Sequence, residues 1–190
     1  PPGLPARRPA GVLVVLFGDD EGETRVVLTE RAERDGHHSG EVSFPGGKAE
    51  PADADIVATA LREAHEEVAL DALAEVPMIT NQAVFDMLPE AMQGRATAMA
   101  NGDTGTALDY DLEAIPAYNI TEDRLQYHPQ GRDNGYILSI GGKRFLIAGD
   151  TEDTPELRAL KDIHVAFLPM NLPYTMTVEQ AADAVAAFQP

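Results

Sequence analysis

The chain has no cysteine and no tryptophan among its 190 residues. Without cysteine it can form no disulfide, hold no metal through thiolates and use no cysteine nucleophile. It also lacks any run of about 18 apolar residues, which a membrane-spanning helix needs, and no signal peptide is visible at its start. From these absences we expect a cytoplasmic protein with no membrane partner.

Basic residues are scarce as well. Lysine and arginine number 14 against 32 aspartates and glutamates, which gives a formal net charge of −18. Because proteins bind a nucleic-acid backbone through a basic surface, we expect no nucleic-acid partner. The acidic excess suits cation binding and equally suits plain solubility. The hydrophobic fraction of 44% is enough for a core, and the length suits one large domain or two small ones.

The chain contains signals for strands and helices in turn. The β-rich runs 11–17 and 24–30 enclose a turn-forming segment, and Gly141-Gly142 separates the runs 134–140 and 143–150. Both arrangements predict β-hairpins. A third run, 107–118, predicts a strand with partial alternation.

Helical signals follow a different spacing. Apolar residues predict a helix that begins near Asp53 or Asp55, and residues 81–92 predict a short helix interrupted near Pro89. Thr177 is the expected N-cap of a C-terminal helix, VEQAADAVAAF.

The most informative segment is GGKAEPADADIVATALREAHEE, residues 46–67. Glu63, Glu66 and Glu67 occupy positions i, i+3 and i+4, which share one face of a helix. A solvated acidic face is the default interpretation of such a cluster. The alternative is that a hard divalent cation neutralises carboxylates that otherwise repel one another.

This segment, with LTERAERDGHHSGEVSFPGG before it, resembles the Nudix hydrolases of the coenzyme A pyrophosphatase type. The resemblance implies that Glu66 and Glu67 ligate Mg²⁺ or Mn²⁺, that Glu63 is a ligand or a partner of the base, and that the Gly47 carbonyl is a further ligand. It also implies attack of water on a small-molecule diphosphate. The motif at residues 46–70 is called the Nudix box. We expect Arg62 to form a structural ion pair with one of its glutamates.

The segment departs from the Nudix pattern at three points. One more residue than the commonest spacing separates Gly47 from Arg62, as in the coenzyme A pyrophosphatase branch. Ala69 replaces the glycine usual after the paired glutamates. The upstream acidic position is ambiguous, because Glu50, Asp53 and Asp55 all lie near it. His37 and His38 are interpreted as exposed loop residues.

The back of the chain resembles a different family. AIPAYNITEDRLQYHPQGRDNGYILSIGGKRFLIAGDTEDTPE is similar to the C-terminal half of metallo-β-lactamase superfamily hydrolases, and Asp150 matches their bridging metal ligand. The family's HxHxDH motif is absent, and Asn119 stands at the third ligand position. Asp150 therefore remains a residual zinc ligand without a full ligand set, and we favour a turn and N-cap role for it. His128 and His164 are interpreted as structural.

Together the resemblances describe a mosaic. Residues 1–75 form a Nudix-like segment with its box at 46–70, residues 76–190 form the metallo-β-lactamase-like segment, and the seam falls near 71–77. The clean cuts and the absent initiator methionine favour a laboratory join over a natural one. We predict one α/β sandwich with mixed β-sheets inside and helices outside; the second option is two loosely joined subdomains.

The leading functional hypothesis is a Mg²⁺-dependent Nudix-type hydrolase of a nucleoside-diphosphate-linked, coenzyme A-like pyrophosphate. Its catalytic residues would be Glu63, Glu66 and Glu67, while the sequence assigns no substrate-binding residues and no oligomeric state. One alternative is a folded chimera without an evolved substrate. A second is a zinc hydrolase of the metallo-β-lactamase type with a degraded site.

Overall fold

The structure is a computed structural model that describes residues 10–18, 24–30, 42–54, 56–68, 77–88, 90–107 and 110–188. It divides the chain into two compact units, Pro1–Val76 and Pro77–Pro190, here called the front unit and the back unit. Within the described part of the chain, no helix has both the length and the apolar character to cross a membrane.

The front unit contains short strands and one long helix. Its strands are β1 (Ala10–Val12), β2 (Leu16–Gly18), β3 (Thr24–Val26), β4 (Thr29–Glu30), β5 (Val42–Ser43) and β6 (Gly46–Lys48). They form three antiparallel pairs, β1 with β6, β2 with β3, and β4 with β5. The pairing of β2 with β3 confirms the predicted first hairpin.

The apolar run 11–17 is not one strand, because its two ends have different partners. β1 pairs with β6, whereas β2 pairs with β3. Between them the Leu13 N–H donates to the Pro45 carbonyl, and the Val15 carbonyl accepts from the Val27 N–H. The change of partner divides the run, which local periodicity could not indicate.

The long helix of the front unit is α1 (Ile56–Val68). It packs against β1 and β6, and Ala60 and Ala64 are buried on its inner side. The small side chains let the helix approach the strands closely. The glutamates of the box lie on other parts of the same helix.

The back unit alternates strands and helices. Its elements are β7 (Met78–Thr80), α2 (Gln82–Met87), α3 (Glu90–Gln93), β8 (Ala96–Ala98), β9 (Thr104–Ala107), β10 (Tyr110–Ala117), β11 (Asp133–Ile140), β12 (Lys143–Ile147), α4 (Pro155–Arg158), β13 (Ile163–Phe167) and α5 (Val178–Phe188). The break between α2 and α3 agrees with the interruption predicted near Pro89.

Five of these strands form one sheet in the order β13-β12-β11-β10-β9. β12 and β13 are parallel and the other neighbours are antiparallel, so the sheet is mixed, as predicted. Gly141 and Gly142 join β11 to β12 with φ values of 57° and 76°. Glycine adopts this left-handed conformation at no steric cost, which confirms the predicted hairpin. β7 and β8 form a separate parallel pair.

The core of the back unit lies between the five-stranded sheet and helices α4 and α5. It consists of Ile115, Ile137, Leu146, Ala148, Leu157, Ile163, Met176, Ala181, Ala184 and Phe188. The helices thus cover a sheet face, which is the α/β layering expected from the sequence.

The strand predicted over 107–118 is confirmed as β10 (Tyr110–Ala117), while Ala107 is the last residue of β9, its hairpin partner. One local prediction in the back unit needs correction. Asp150 is not the N-cap of the following helix. The cap is Thr154, whose side chain accepts from the Leu157 N–H. Pro155 at the first helical position fixes the helix start five residues after Asp150.

Candidate functional site

The glutamate helix is joined to the glycine strand. The Gly46 N–H donates to Glu67 Oε2 at 3.3 Å, and the Glu63 carboxylate lies against the backbone of Gly47. Both glycines belong to β6, which α1 packs against. The structure therefore brings two of the three predicted glutamates to the glycine turn.

The two glycines are needed for different reasons. A Cβ at Gly46 would lie 2.5 Å from the Gly11 carbonyl oxygen, which belongs to the backbone of β1. A Cβ at Gly47 would overlap the carboxylate of Glu63. The first close approach joins β1 to β6. The second leaves a cradle that the Glu63 carboxylate fills.

Arg62 is the centre of the polar contacts around the helix. Its Nε and Nη2 donate to the two carboxylate oxygens of Asp53 at 2.9 and 3.1 Å. Nη2 also contacts Glu63 Oε1 at 3.0 Å, and Nη1 contacts Glu66 Oε2 at 3.2 Å. The expected ion pair of Arg62 is present, and it extends to three carboxylates.

Asp53 is the upstream acidic residue that contacts Arg62 among those that the structure describes. Besides Arg62, it accepts from the Glu50 N–H at 2.8 Å and from Thr59 Oγ1 at 2.9 Å. The hydrogen bonds from Arg62, followed by that from the Glu50 backbone, hold the pKa of Asp53 well below its usual range. The same contact with Asp53 raises the pKa of Arg62. The pair stays charged at any working pH.

The oxygen ligands that these residues offer are of the kind that a hard divalent cation prefers. Glutamate oxygens and a glycine carbonyl are ligands that Mg²⁺ and Mn²⁺ take in proteins, and the Glu63 carboxylate occupies the space where a Cβ of residue 47 would lie. The glutamates differ in access, since the Glu66 side chain is 58% exposed and that of Glu63 is 19% exposed. Among the described residues, however, no three histidine, aspartate or glutamate side chains converge as metal ligands.

Asp150, the residual zinc ligand predicted in the back unit, lies on the surface. Its side chain is 66% exposed, and its Oδ2 lies 3.7 Å from His128 Nε2. The other ring nitrogen of His128 lies 3.2 Å from Asp133 Oδ2. Burial raises the pKa of Asp133, but the hydrogen bonds of His128 and Arg132 outweigh it and the pKa is lowered overall. His128 thus faces Asp150, which sequence reasoning did not detect.

Asn119 stands where the metallo-β-lactamase resemblance implies the third metal ligand. Its side chain forms hydrogen bonds with two loops. It is 2% exposed, and its Nδ2 donates to the carbonyls of Arg124 and Tyr174 at 3.1 and 2.7 Å. His164 is exposed, and its Nδ1 accepts from the Arg144 N–H at 3.2 Å. Both residues have structural partners.

Glu152 is a buried carboxylate that no pattern in the sequence indicates. It is fully buried and accepts from the N–H groups of Ile120 and Thr121, from Thr121 Oγ1 and from Arg124 Nη1, all within 2.8 Å. Its partners lie about 30 positions away in sequence, so no spacing indicates them. His37, His38, Asp55 and Ala69 lie outside the described residues.

Comparisons with known proteins agree with a chain in two parts. Residues 7–96 match the family model of the NUDIX domain. Nudix hydrolase 15, mitochondrial, of Arabidopsis thaliana is 56% identical over 62 residues, which cover 33% of this chain and 22% of that protein. The uncharacterized Nudix hydrolase NudL of Yersinia pestis is 54% identical over 65 residues, 34% of this chain and 32% of that protein. The chain therefore spans only a fifth to a third of these relatives.

A solved structure covers far more of the chain. The crystal structure described as a metal-dependent hydrolase from Parabacteroides distasonis aligns with a TM-score of 0.60 and 30% identity, over 94% of this chain and 84% of that one. The fold and these likenesses place the protein among α/β proteins of hydrolase ancestry. More closely, it belongs to the family of that metal-dependent hydrolase. Its first part resembles the Nudix hydrolases.

Proposed function

We propose that the chain is a Nudix-type hydrolase that uses Mg²⁺ or Mn²⁺ to cleave the diphosphate of a small nucleoside-diphosphate-linked molecule, with coenzyme A-like compounds as the substrate class. One observation supports this above the others: the box glutamates lie at the glycine strand, with Glu67 on the Gly46 N–H and Glu63 against Gly47. The sequence match to the NUDIX domain covers the same residues.

The proposed metal-dependent hydrolysis gives each glutamate of the Nudix box and Gly47 a role. Glu63, Glu66, Glu67 and the Gly47 carbonyl would hold the cation. When bound, the cation would neutralise charge on the diphosphate and lower the pKa of a water molecule. Glu66 has an exposed side chain and can meet a substrate that arrives from solvent. Glu63 is partly buried and keeps its place through the backbone of Gly47 and through Arg62.

The test is a pyrophosphohydrolase assay with Mg²⁺ or Mn²⁺ on coenzyme A and a panel of nucleoside diphosphate compounds. Glu66→Gln and Glu67→Gln are expected to lower kcat/KM by about 10²- to 10⁴-fold. Glu122→Gln changes an exposed glutamate of the back unit and should leave the rate unchanged. A wild-type chain with no activity on any compound would favour the rival hypothesis, a folded chimera without a substrate.

A second candidate function rests on His128 and Asp150. A histidine nitrogen and a carboxylate oxygen 3.7 Å apart suit two ligands of one zinc ion, and Asp133 on the other ring nitrogen would orient the imidazole. The neighbouring solved structure is described as a metal-dependent hydrolase. These observations support a zinc hydrolase of the metallo-β-lactamase type, although two side chains do not complete a zinc site.

Zinc content separates the two candidates. If the second holds, the dialysed wild-type protein retains zinc by mass spectrometry, and His128→Ala and Asp150→Ala both lose it. His164→Ala, which changes an exposed histidine, should retain it. Zinc absent from the wild-type protein, or equally present in all variants, would contradict this candidate.

A further inference from the structure

The guanidinium group of Arg62 contacts three carboxylates at the candidate site. Arg62 contacts Asp53 through two hydrogen bonds and reaches Glu63 and Glu66 with its remaining N–H groups. It also donates to the Lys48 carbonyl at 3.1 Å. Two of the three glutamates predicted to bind metal therefore already have a cation beside them.

The contacts of Arg62 differ in how readily they break. Asp53 has a 6% exposed side chain and is fixed by Thr59 Oγ1 and the Glu50 N–H. Its paired contact with the guanidinium is the strong, planar kind. Glu66 is 58% exposed and offers Arg62 one oxygen, and exposed pairs of this kind contribute little. Arg62 thus has a firm partner in Asp53 and a weakly held one in Glu66, while Glu63, 19% exposed, offers it one oxygen at 3.0 Å.

We infer that Arg62 competes with the metal for Glu63 and Glu66, and that Asp53 holds the guanidinium when a divalent cation takes those glutamates. This inference rests on the proposed function, because it assumes that the box binds Mg²⁺ or Mn²⁺. A guanidinium and a dication repel each other, so a carboxylate that contacts both holds each of them less strongly than it would hold one alone.

Two variants separate competition from simple positioning. In Asp53→Asn, Arg62 loses its charged anchor and rests on Glu63 and Glu66, so Mn²⁺ affinity should fall by about three- to tenfold. In Arg62→Gln the competitor is removed, so affinity should rise by about the same factor. A residue that only positions the glutamates would weaken binding in both variants.

The measurement is titration of the full chain with Mn²⁺ alone, followed by the electron paramagnetic resonance signal of the free ion. Arg158→Gln is the matched control, because Arg158 pairs with Asp153 in the back unit and its loss changes the net charge by the same unit. It should leave Mn²⁺ affinity within about twofold of the wild type. Far-UV circular dichroism checks that each variant is folded.

Nuclear magnetic resonance of the wild-type chain keeps the inference testable if a variant does not fold. On saturation with Mg²⁺, the Nε–Hε signal of Arg62 should stay at its hydrogen-bonded position, because Asp53 still accepts it, while the Nη signals shift. Nη signals that do not respond at saturating Mg²⁺ would overturn the inference.

Failure of the proposed function and failure of the inferred competition would give different results in the Mn²⁺ titration. A wild-type chain that binds no Mn²⁺ removes the metal site of the proposed function, and the inference with it. A wild-type chain that binds Mn²⁺ through Glu66, but in which Arg62→Gln weakens binding as Asp53→Asn does, leaves the proposed function standing and overturns the competition.

Discussion

At residues 46 and 47 the candidate site depends on the absence of side chains, and the two glycines should respond differently to alanine. Gly46→Ala would place a methyl group against backbone atoms of β1, so we expect a loss of about 1–3 kcal/mol in the free energy of unfolding. In Gly47→Ala the three atoms nearest the new methyl group all belong to the movable carboxylate of Glu63. It should cost less than about 1 kcal/mol, yet weaken Mn²⁺ binding about tenfold or more.

Chemical denaturation and Mn²⁺ titration of both variants provide the comparison. Gly94→Ala is a suitable control, since no atom lies within 4 Å of a Cβ at that position. If Gly47→Ala bound Mn²⁺ as the wild type does, the place of Glu63 beside the glycine would have no part in metal binding.

Glu152 makes the stability of the back unit depend on pH. Burial raises the pKa of this carboxyl group, but the hydrogen bonds from Thr121 and Ile120 and the charge of Arg124 outweigh it, so the pKa is lowered. A lowered pKa in the folded state stabilises the fold above the ordinary value of 4.5. This stabilisation disappears as the pH falls through the folded-state value.

Glu152→Gln should therefore destabilise the protein by about 3–5 kcal/mol at pH 7, because Arg124 loses its buried partner. The difference from the wild type should shrink as the pH falls below 4.5. Urea denaturation from pH 7 to pH 3 checks this. A difference that stays constant over the whole range would mean that the carboxylate charge contributes nothing.

Helix α5 begins with a capping box. The Thr177 N–H donates to Gln180 Oε1 at 2.8 Å, and the Gln180 N–H donates to Thr177 Oγ1 at 3.1 Å. Thr177→Ala should cost about 1 kcal/mol of stability, whereas Thr177→Ser keeps the acceptor and should cost a few tenths, on the order of 0.3 kcal/mol. Urea denaturation measures both, and equal losses in the two variants would show that the methyl group, not the cap, matters.

Elements with local signals could be predicted, and those with distant partners could not. The turn at Gly141-Gly142 and the cap at Thr177 act within a few residues, so the sequence indicates them directly. Strand β9 (Thr104–Ala107) has few apolar residues, and its existence depends on pairing with β10. The run 11–17 is divided because its ends pair with different strands.

The same distinction applies to the candidate site. The glutamates share a helix, so their spacing indicated a common face. Asp53 lies in a loop nine positions before Arg62, and three acidic residues fit the pattern equally well until the structure showed which one Arg62 contacts. His128 and Asp150 come together only through the loops of the back unit. That arrangement belongs to tertiary structure and leaves no periodic signal.

The chain as a whole has an uneven distribution of buried apolar residues. The back unit has the ten-residue core between its sheet and helices, while the buried apolar side chains among the described residues of the front unit are Val15, Pro45, Ala60 and Ala64. Stability follows buried apolar area, and regions with less of it open more readily. Counted over the residues that the structure describes, the unit proposed to bind metal therefore has fewer buried apolar side chains.

Hydrogen exchange should show this difference. We expect the slowest amides in β10, β11, β12 and α5, and faster exchange in α1, because local opening requires less free energy where fewer apolar groups are buried.

A ligand that binds only the folded front unit adds stability there by mass action. Addition of Mn²⁺ should then slow exchange at residues 46–68 and leave the back unit unchanged, as followed by mass spectrometry of peptic fragments. Glu66→Gln provides the control, since without that ligand the Mn²⁺-dependent protection should be lost. Equal slowing in both units, or slowing at His128 and Asp150 alone, would place the metal outside the glutamate helix.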